Sequence, residues 1–209
     1  MGAPDRSVLP DIRAHHVLSD GSELVVRTVQ PRDAMLLARG FAELSPSSRY
    51  QRFFTPKAGL SEAELHALTE LDGVSQYAIG VTTWDEEGRE VPIGVARYVR
   101  DPREHDLAEA AIVVIDSRQR RGIGRLLLGA LVEAAYDHGV RRFRAEVLTD
   151  NYAVHKLLRG IAAELRVVSR GLGSEELELV LRPPTRRVDP LAAPACALEA
   201  ASPTDKREG

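Results

Sequence analysis

A short basic loop between two apolar stretches is the part of the chain best suited to binding a ligand. Its residues, in order, are Gln119, Arg120, Arg121, Gly122, Ile123, Gly124 and Arg125. Glycine lets a backbone approach a ligand closely, and the first turn of a helix has N–H groups without intrahelical partners. Guanidinium groups suit phosphate oxygens. The loop therefore predicts a phosphate site at the start of a helix, and a pyrophosphate is the expected ligand.

Three phosphate-loop patterns can be compared with this stretch. No Gly-x-x-x-x-Gly-Lys-Ser/Thr string is present, and Leu127 stands where a Gly-x-Gly-x-x-Gly fingerprint needs its third glycine. Residues 119–124 fit Gln/Arg-x-x-Gly-x-Gly/Ala instead. That pattern resembles the acetyl-CoA pyrophosphate loop of the GNAT superfamily of N-acetyltransferases. The alternative is a basic turn that only begins a helix.

The elements that must position this loop alternate along the chain. Strands are predicted at 12–18 and 23–29, 77–84 and 92–98, 107–115, 143–148, 165–168 and 176–181. Helices are predicted at 31–44, 47–54, 61–71, from the loop to residue 138, and at 152–158. This order indicates an α/β fold with a mixed sheet and helices on both faces. The GNAT resemblance, which covers about residues 24–181, further implies that the sheet is mostly antiparallel.

A second resemblance lies in residues 44–54, Leu-Ser-Pro-Ser-Ser-Arg-Tyr-Gln-Arg-Phe-Phe. This segment is similar to one in a GNAT subgroup that includes bacterial protein lysine acetyltransferases of the Pat type. It lies where the superfamily usually forms the acceptor side of the site. Phe53 and Phe54 are expected mainly in the core, whereas Arg49 and Arg52 are predicted to bind substrate or the phosphates of the cofactor.

An amine acceptor requires a base, because its protonated form cannot attack a thioester. Residues 108–114, Ala-Glu-Ala-Ala-Ile-Val-Val, match the string Ala-Glu-x-Ala-x-x-Val of Pat-type enzymes. The resemblance implies that Glu109 is the catalytic general base. Because apolar residues flank Glu109, we expect it to be partly buried, as tuned carboxylates often are. The alternative is an exposed carboxylate at a strand end.

The resemblance also implies how acetyl-CoA is bound. The backbone of Ile112, Val113 and Val114 is expected to bind the pantetheine arm, and the loop residues 119–125 the pyrophosphate. Asn151 matches an asparagine that contacts pantetheine in many members, although a helix N-cap would explain it equally well. Leu158 occupies the position of a tyrosine that many members carry as a proposed acid. The general acid is therefore unassigned.

Composition limits the remaining classes. The chain has 209 residues, a net charge of -3 and one cysteine, Cys196, which excludes an internal disulfide and a cysteine-rich metal site. No apolar run approaches the roughly 20 residues needed to cross a bilayer, and the N-terminus lacks the apolar stretch of a secretory signal. No histidine pair has metal-ligand spacing. The sequence therefore predicts no metal, no nucleic acid or membrane partner, and a cytoplasmic location.

The predicted organisation is a flexible N-terminus at residues 1–10, a GNAT acetyltransferase domain at 11–182, and a disordered Pro/Ala-rich tail at 183–209. The predicted function is acetyl-CoA-dependent transfer of an acetyl group directly to an amine. A protein lysine and a small-molecule amine both stay open as acceptors. A non-catalytic acyl-CoA sensor is the alternative from another class. The oligomeric state is open.

Overall fold

The computed structural model describes residues 13–18 and 20–184. The predicted flexible N-terminus, residues 1–10, lies outside them. So do Cys196 and all but the first two residues of the predicted tail, 183–209. Residues 183 and 184 are exposed and follow the last strand without regular structure.

One sheet of eight strands organises the described residues. The strands are β1 Arg13–Val17, β2 Glu23–Thr28, β3 Gln76–Trp84, β4 Glu90–Arg100, β5 Leu107–Val114, β6 Arg142–Leu148, β7 Ala162–Arg170 and β8 Ser174–Leu181. They lie in the order β1-β2-β3-β4-β5-β6-β8-β7. All neighbours are antiparallel except β5 and β6, which are parallel. The predicted mixed, mostly antiparallel α/β sheet is thus confirmed.

Five helices and two 3-10 turns connect the strands. The helices are α1 Ala34–Ala42, α2 Pro46–Phe53, α3 Glu62–Thr69, α4 Ile123–Asp137 and α5 Tyr152–Ile161, and the turns are Pro31–Asp33 and Asp116–Arg118. Ser45 caps α2 by accepting from the Ser48 N–H, and Ser61 and Glu64 form the predicted capping box of α3. The helix predicted at 31–44 divides into a 3-10 turn and α1.

The helices cover both faces of the sheet. Because side chains alternate along a strand, Arg97 and its neighbour Tyr98 point to opposite faces. Arg97 lines a groove with Phe41 of α1 and Phe53 of α2, so α1 and α2 cover that face. Tyr98 belongs to the core cluster that includes Leu127 of α4. The prediction of helices on both faces is confirmed.

The main core lies between α4 and the sheet. Tyr77, Tyr98 and Phe143 are fully buried from the strands, and Leu127 and Leu131 from α4. Leu127 and Leu131 stand four residues apart, so they share one face of the helix. Burying each such side chain contributes about 1.5–3 kcal/mol relative to exposure. This packing fixes the start of α4, and therefore the basic loop, against the end of β5.

A buried ion network fixes the start of α1 on the other face. Arg27 of β2 donates to both carboxylate oxygens of Asp33, at 2.6 and 2.8 Å, and its Nε donates to Glu90 at 3.0 Å. Asp33 also accepts from the Gln30 N–H at 2.8 Å. Arg27 and Asp33 are 7% and 4% exposed, so removal of either partner would leave a buried charge, at a cost of about 3–5 kcal/mol.

Candidate active site

Strands β5 and β6 enclose a notch in the sheet. They pair only where Leu107–Glu109 lie beside Arg142–Arg144, yet β5 continues to Val114 and β6 to Leu148. Beyond Glu109, the β5 backbone groups that face β6 therefore have no strand partner in the described sheet. An extended ligand could add to this edge as a short strand would. Ile112, Val113 and Val114, the predicted pantetheine contacts, form this half-buried edge.

Glu109 lies at the closed end of the notch, in the last pair that β5 and β6 form. Its side chain is exposed, so the prediction that it is partly buried was wrong. The apolar neighbours in the sequence point to the opposite face, where Ala108 and Ala110 pack in the core. Because the pairing of β5 and β6 ends at Glu109, no paired residues beyond it shield its side chain from solvent.

The basic loop lies at the open end of the notch. Gly122 caps α4 with a φ of 86°, and Arg120 also has a positive φ, 60°. A glycine cap offers no side-chain acceptor, so the first-turn N–H groups of α4 stay available to a ligand. Arg120, Arg121 and Arg125 are exposed around them. Arg121 Nη1 also lies 3.4 Å from Asp20 Oδ2 in the β1–β2 turn.

Two of the loop residues predicted to bind the cofactor, Ile123 and Gly124, also have roles in packing. Ile123 is 1% exposed, so its side chain belongs to the core and only its backbone could reach a ligand. A Cβ on Gly124 would lie 2.9 Å from Leu157 Cδ1, so the glycine allows α4 to pack against α5. At these two positions, only the backbone is therefore free to contact a ligand.

Asn151 caps α5 at the other side of the open end. Its Oδ1 accepts from the Val154 N–H at 3.2 Å, which is the N-cap arrangement that the sequence left as an alternative. Its side-chain Nδ2 makes no hydrogen bond within residues 13–18 and 20–184. The cap oxygen and a ligand-binding nitrogen are thus compatible in one side chain.

A polar cluster missed in the sequence joins α2 to the basic loop. Asp116 accepts from the Ser45 N–H at 2.9 Å and from the hydroxyls of Ser45 and Ser48, each at 2.8 Å. Gln119 Nε2 donates to the Val114 carbonyl at 3.0 Å and to Ser48 Oγ at 3.4 Å. Partial burial opposes ionisation of Asp116, but these hydrogen bonds hold its pKa below the usual value. Gln119 thus braces the loop against β5 and α2.

A groove runs along the opposite face of β5 from α4. Its lining is mainly apolar and comes from α1, α2, the segment 60–68 and strands β3 to β5: Leu37, Gly40, Phe41, Leu44, Arg52, Phe53, Leu60, Leu68, Ala78, Pro92, Gly94, Val95, Arg97, Ala111, Val113 and Ile115. Arg52 and Arg97 are its charged members. The sequence predicted Arg52 and missed Arg97, which only the β4–β5 register places beside Ala111.

Arg49, the other predicted substrate-binding residue, uses its guanidinium for hydrogen bonds within the fold. Its guanidinium donates to the carbonyls of Ala42, Leu44, Lys57 and Ala58. It also lies 4.7 Å from the centre of the Phe41 ring. These contacts join α1, α2 and the segment before α3. They give Arg49 a structural role, and Arg49 does not line the groove that Arg52 enters.

Electrostatics connect the groove to Glu109. Burial lowers the pKa of Arg52 to about 10, and the charge of Arg97 adds to this effect while Glu109 opposes it. Burial also lowers the pKa of Arg97, again opposed by Glu109. The two guanidinium groups and the carboxylate are therefore close enough to interact. Within the described residues, no group of three or more His, Cys, Asp or Glu is arranged to hold a metal ion.

The parted parallel strands, the glycine-capped helix and the central antiparallel sheet define the class of GNAT-fold acyltransferases. A sequence model of the acetyltransferase (GNAT) family matches residues 47–161. The chain therefore belongs to the GNAT family of acetyltransferases.

Among curated proteins, the chain is 37% identical over 144 residues to Acetyltransferase Pat of Mycolicibacterium smegmatis. The matched region covers 68% of this chain and 42% of that protein. Among solved structures, it resembles the GNAT domain of S. lividans PAT with a TM-score of 0.72 and 31% identity, covering 84% of this chain and all of that one.

A cAMP-binding acyltransferase from Mycobacterium smegmatis matches with a TM-score of 0.56 and 29% identity over 82% of this chain and 48% of its own. The chain thus spans about half the length of that structure and 42% of the curated Pat relative. No helix among the residues that the structure describes is long and apolar enough to cross a membrane.

Proposed function

We propose that this protein transfers an acetyl group from acetyl-CoA directly to an amine, with Glu109 as the general base. The observation that carries the proposal is the notch, which begins at Glu109 and opens toward the basic loop. A single extended ligand could then lie along β5, with its reactive end near Glu109 and its phosphates at the start of α4. A cytoplasmic setting is part of the proposal.

The residues of the notch fit acetyl-CoA. The backbone of Ile112, Val113 and Val114 would bind pantetheine as an added strand, and Asn151 Nδ2 would donate to the same arm. The pyrophosphate would be bound by the N–H groups of residues 122–124 and by the exposed guanidinium groups of Arg120, Arg121 and Arg125. Gln119 contributes by bracing the loop.

The chemistry that we assign to the chain is proton removal and positioning. Bound acetyl-CoA would supply the acyl group as a thioester. Glu109, directly or through one water, takes a proton from the ammonium of the acceptor, so that the neutral amine can attack the thioester carbon. A C–N bond forms, the C–S bond breaks, the nitrogen releases its second proton to solvent, and solvent protonates the thiolate. Leu158 is 3% exposed and apolar, so no side chain at that position acts as the acid.

A protein lysine is our proposed acceptor. The support is the resemblance of residues 44–54 to Pat-type protein lysine acetyltransferases, together with the 37% identity to Acetyltransferase Pat. Because the chain spans only part of that relative, a small-molecule amine is the second candidate.

The first experiment is isothermal titration of acetyl-CoA and CoA into the wild type and Arg125→Glu. Arg125 is exposed in the first turn of α4, where the helix dipole stabilises a carboxylate. We therefore expect the variant to fold normally while placing a negative charge at the proposed phosphate site. We expect a loss in affinity of at least about tenfold, since one charged hydrogen bond contributes about 1.5–3 kcal/mol. Arg103→Glu, in the exposed turn before β5, is the charge-matched control.

Equal affinity in the wild type and Arg125→Glu would contradict the proposed phosphate site. Binding without transfer to any amine would instead favour the non-catalytic sensor. The choice of Arg125 avoids Gly124, because any side chain there meets Leu157 and would confound binding with packing.

A further inference from the structure

Two arginines enter an apolar groove beside the proposed base, and neither forms an ion pair with a carboxylate within residues 13–18 and 20–184. Arg52 comes from α2 and Arg97 from β4, and the groove lining contains no aspartate or glutamate. Buried charges in proteins are normally paired, because an isolated charge loses its hydration. Both guanidinium groups are desolvated enough for burial to lower their pKa values. The charges of the pair are therefore offset only by the interaction with Glu109.

The hydrogen-bond contacts of the pair are few. Within residues 13–18 and 20–184, the Arg52 guanidinium makes no hydrogen bond and lies 4.9 Å from the centre of the Phe53 ring. Arg97 has one bond, from Nη2 to Gln76 Oε1 at 3.2 Å. A guanidinium carries five N–H donors. Most of the donors on this pair are therefore available to a ligand.

The neighbouring basic residue is different. Arg144 pairs with Glu109 in the β5–β6 register, so both side chains point to the same face. Its guanidinium is already committed to Glu178, at 3.0 Å, and lies 3.6 Å from Glu176. Arg144 thus belongs to an ion network on β8, in which Glu178 also pairs with Arg142 and Arg166.

Position along β5 separates this pair from the phosphate site. Arg97 lies opposite Ala111, and Val99, two residues further along β4, lies opposite Glu109. Side chains two residues apart on a strand share a face, so Arg97 is a diagonal neighbour of Glu109. The basic loop begins only after the other end of β5. The pair therefore faces the acceptor and not the pyrophosphate.

The charge balance of this end determines what can enter. Arg52, Arg97 and Glu109 together carry one net positive charge. A simple ammonium would be repelled by that positive charge, whereas the carboxylate of an amine that carries one nearby would be attracted to it.

We propose that Arg52 and Arg97 form a subsite for a carboxylate carried by the acceptor, close to the amine that is acetylated. This inference rests on the proposed function and narrows the acceptor to a carboxylate-bearing amine. Two sources share this chemistry, an acidic residue beside a protein lysine and the carboxylate of a free amino acid. In either case the two guanidinium groups orient the amine toward Glu109.

The test uses pairs of acceptors that differ only in their carboxylates. One pair is the capped peptides Gly-Asp-Lys-Asp-Gly and Gly-Asn-Lys-Asn-Gly, and the other is phenylalanine and phenylalaninamide. Rates of acetyl transfer give kcat/KM for the wild type, Arg52→Gln, Arg97→Gln and Arg52→Lys. Arg159→Gln, exposed on α5, is the matched control. Comparing each pair between proteins cancels differences in amine basicity.

We expect the wild type and Arg159→Gln to show the same preference for a carboxylate. That preference should fall about tenfold or more in each Gln variant, since each removes a charged hydrogen bond. Arg52→Lys should restore part of it, and acetyl-CoA affinity should be unchanged in all variants. The preferred pair identifies the source of the carboxylate. An unchanged preference in both Gln variants would overturn the subsite, as would a loss of acetyl-CoA affinity in either of them.

A second measurement separates this inference from the proposed function. The same amines are titrated calorimetrically into the CoA-saturated wild type and Arg97→Gln. Carboxylate-selective binding without any acetyl transfer would support the subsite and contradict the transferase. Transfer without carboxylate selectivity would support the transferase and contradict the subsite.

Discussion

The C-terminal and N-terminal ends of β5 build their parts of the candidate site in different ways. The C-terminal end, with the basic loop, uses consecutive residues and mostly backbone groups. At the N-terminal end, Glu109 interacts electrostatically with Arg97 of β4 and Arg52 of α2, which are distant in sequence. Backbone groups persist when most side chains change. The loop end should therefore tolerate substitutions that the Glu109 end does not.

The largest expected effect tests the Glu109 end. Glu109→Gln should reduce turnover about 10²–10⁴-fold, because it removes the group that accepts the proton. Acetyl-CoA affinity, measured by calorimetry, should be nearly unchanged, since the proposed cofactor contacts lie further along β5. Glu164→Gln, exposed on β7, is the control. Normal turnover across pH in Glu109→Gln would remove it from the base role.

The next prediction concerns the backbone at the loop end. A Cβ on Gly94 would lie 2.8 Å from the Val113 carbonyl oxygen, which is backbone and cannot easily move. Gly94→Ala should lower the free energy of unfolding by about 1–3 kcal/mol and also weaken acetyl-CoA binding. Urea unfolding and calorimetry measure the two effects.

Gly129→Ala is the matched control, because nothing lies within 4 Å of its added Cβ in α4. It should stabilise the protein by about 0.5–1 kcal/mol. Equal stability of the two variants would contradict the close approach of β4 and β5.

The next prediction concerns Asp116, which joins the basic loop to α2, the helix that carries Arg52. Asp116→Ala removes the acceptor of three hydrogen bonds from Ser45 and Ser48, and should lower the free energy of unfolding by about 1–2 kcal/mol. Because its pKa is lowered in the folded state, this stabilisation is present above the usual aspartate pKa and lost as pH falls through the lowered value. The difference between wild type and variant should therefore narrow in acid.

Acetyl-CoA affinity should also fall in Asp116→Ala, since Ser48 helps to brace Gln119. Asp116→Asn, which keeps one oxygen, should show a smaller loss. An Asp116→Ala variant with full affinity would show that the loop holds its shape without α2.

The smallest effect concerns half-buried His138, whose ring packs against the core residues Tyr77 and Tyr98. His138 Nδ1 lies 2.6 Å from the Tyr98 hydroxyl, and burial lowers its pKa, an effect that Arg100 reinforces and that Asp137 and Asp72 oppose. The unfolded chain is therefore protonated first as pH falls below about 6.5, and stability falls with it. Chemical denaturation from pH 8 to 5 should show a shallower decline in His138→Gln than in wild type. His105→Gln is the control, because His105 is exposed and its side chain makes no hydrogen bond or ion pair within residues 13–18 and 20–184.

Local patterns in the sequence predicted much of this molecule. Apolar periodicity, the Ser61 capping box and the glycine loop depend on residues that are close in the chain, and each predicted element lies near its place. The family resemblance rested on three contiguous segments, 44–54, 108–114 and 119–124, and is confirmed by the family match over residues 47–161.

Only the tertiary structure decided the surroundings of these segments. It exposed Glu109, committed Arg49 to four carbonyls and brought Arg97 beside Arg52. The physical reason is that such contacts depend on strand register and on where β5 and β6 part, which are set by packing between distant elements. A sequence read residue by residue determines which groups are present and which elements carry them, whereas packing determines which of them share solvent, charge and a ligand.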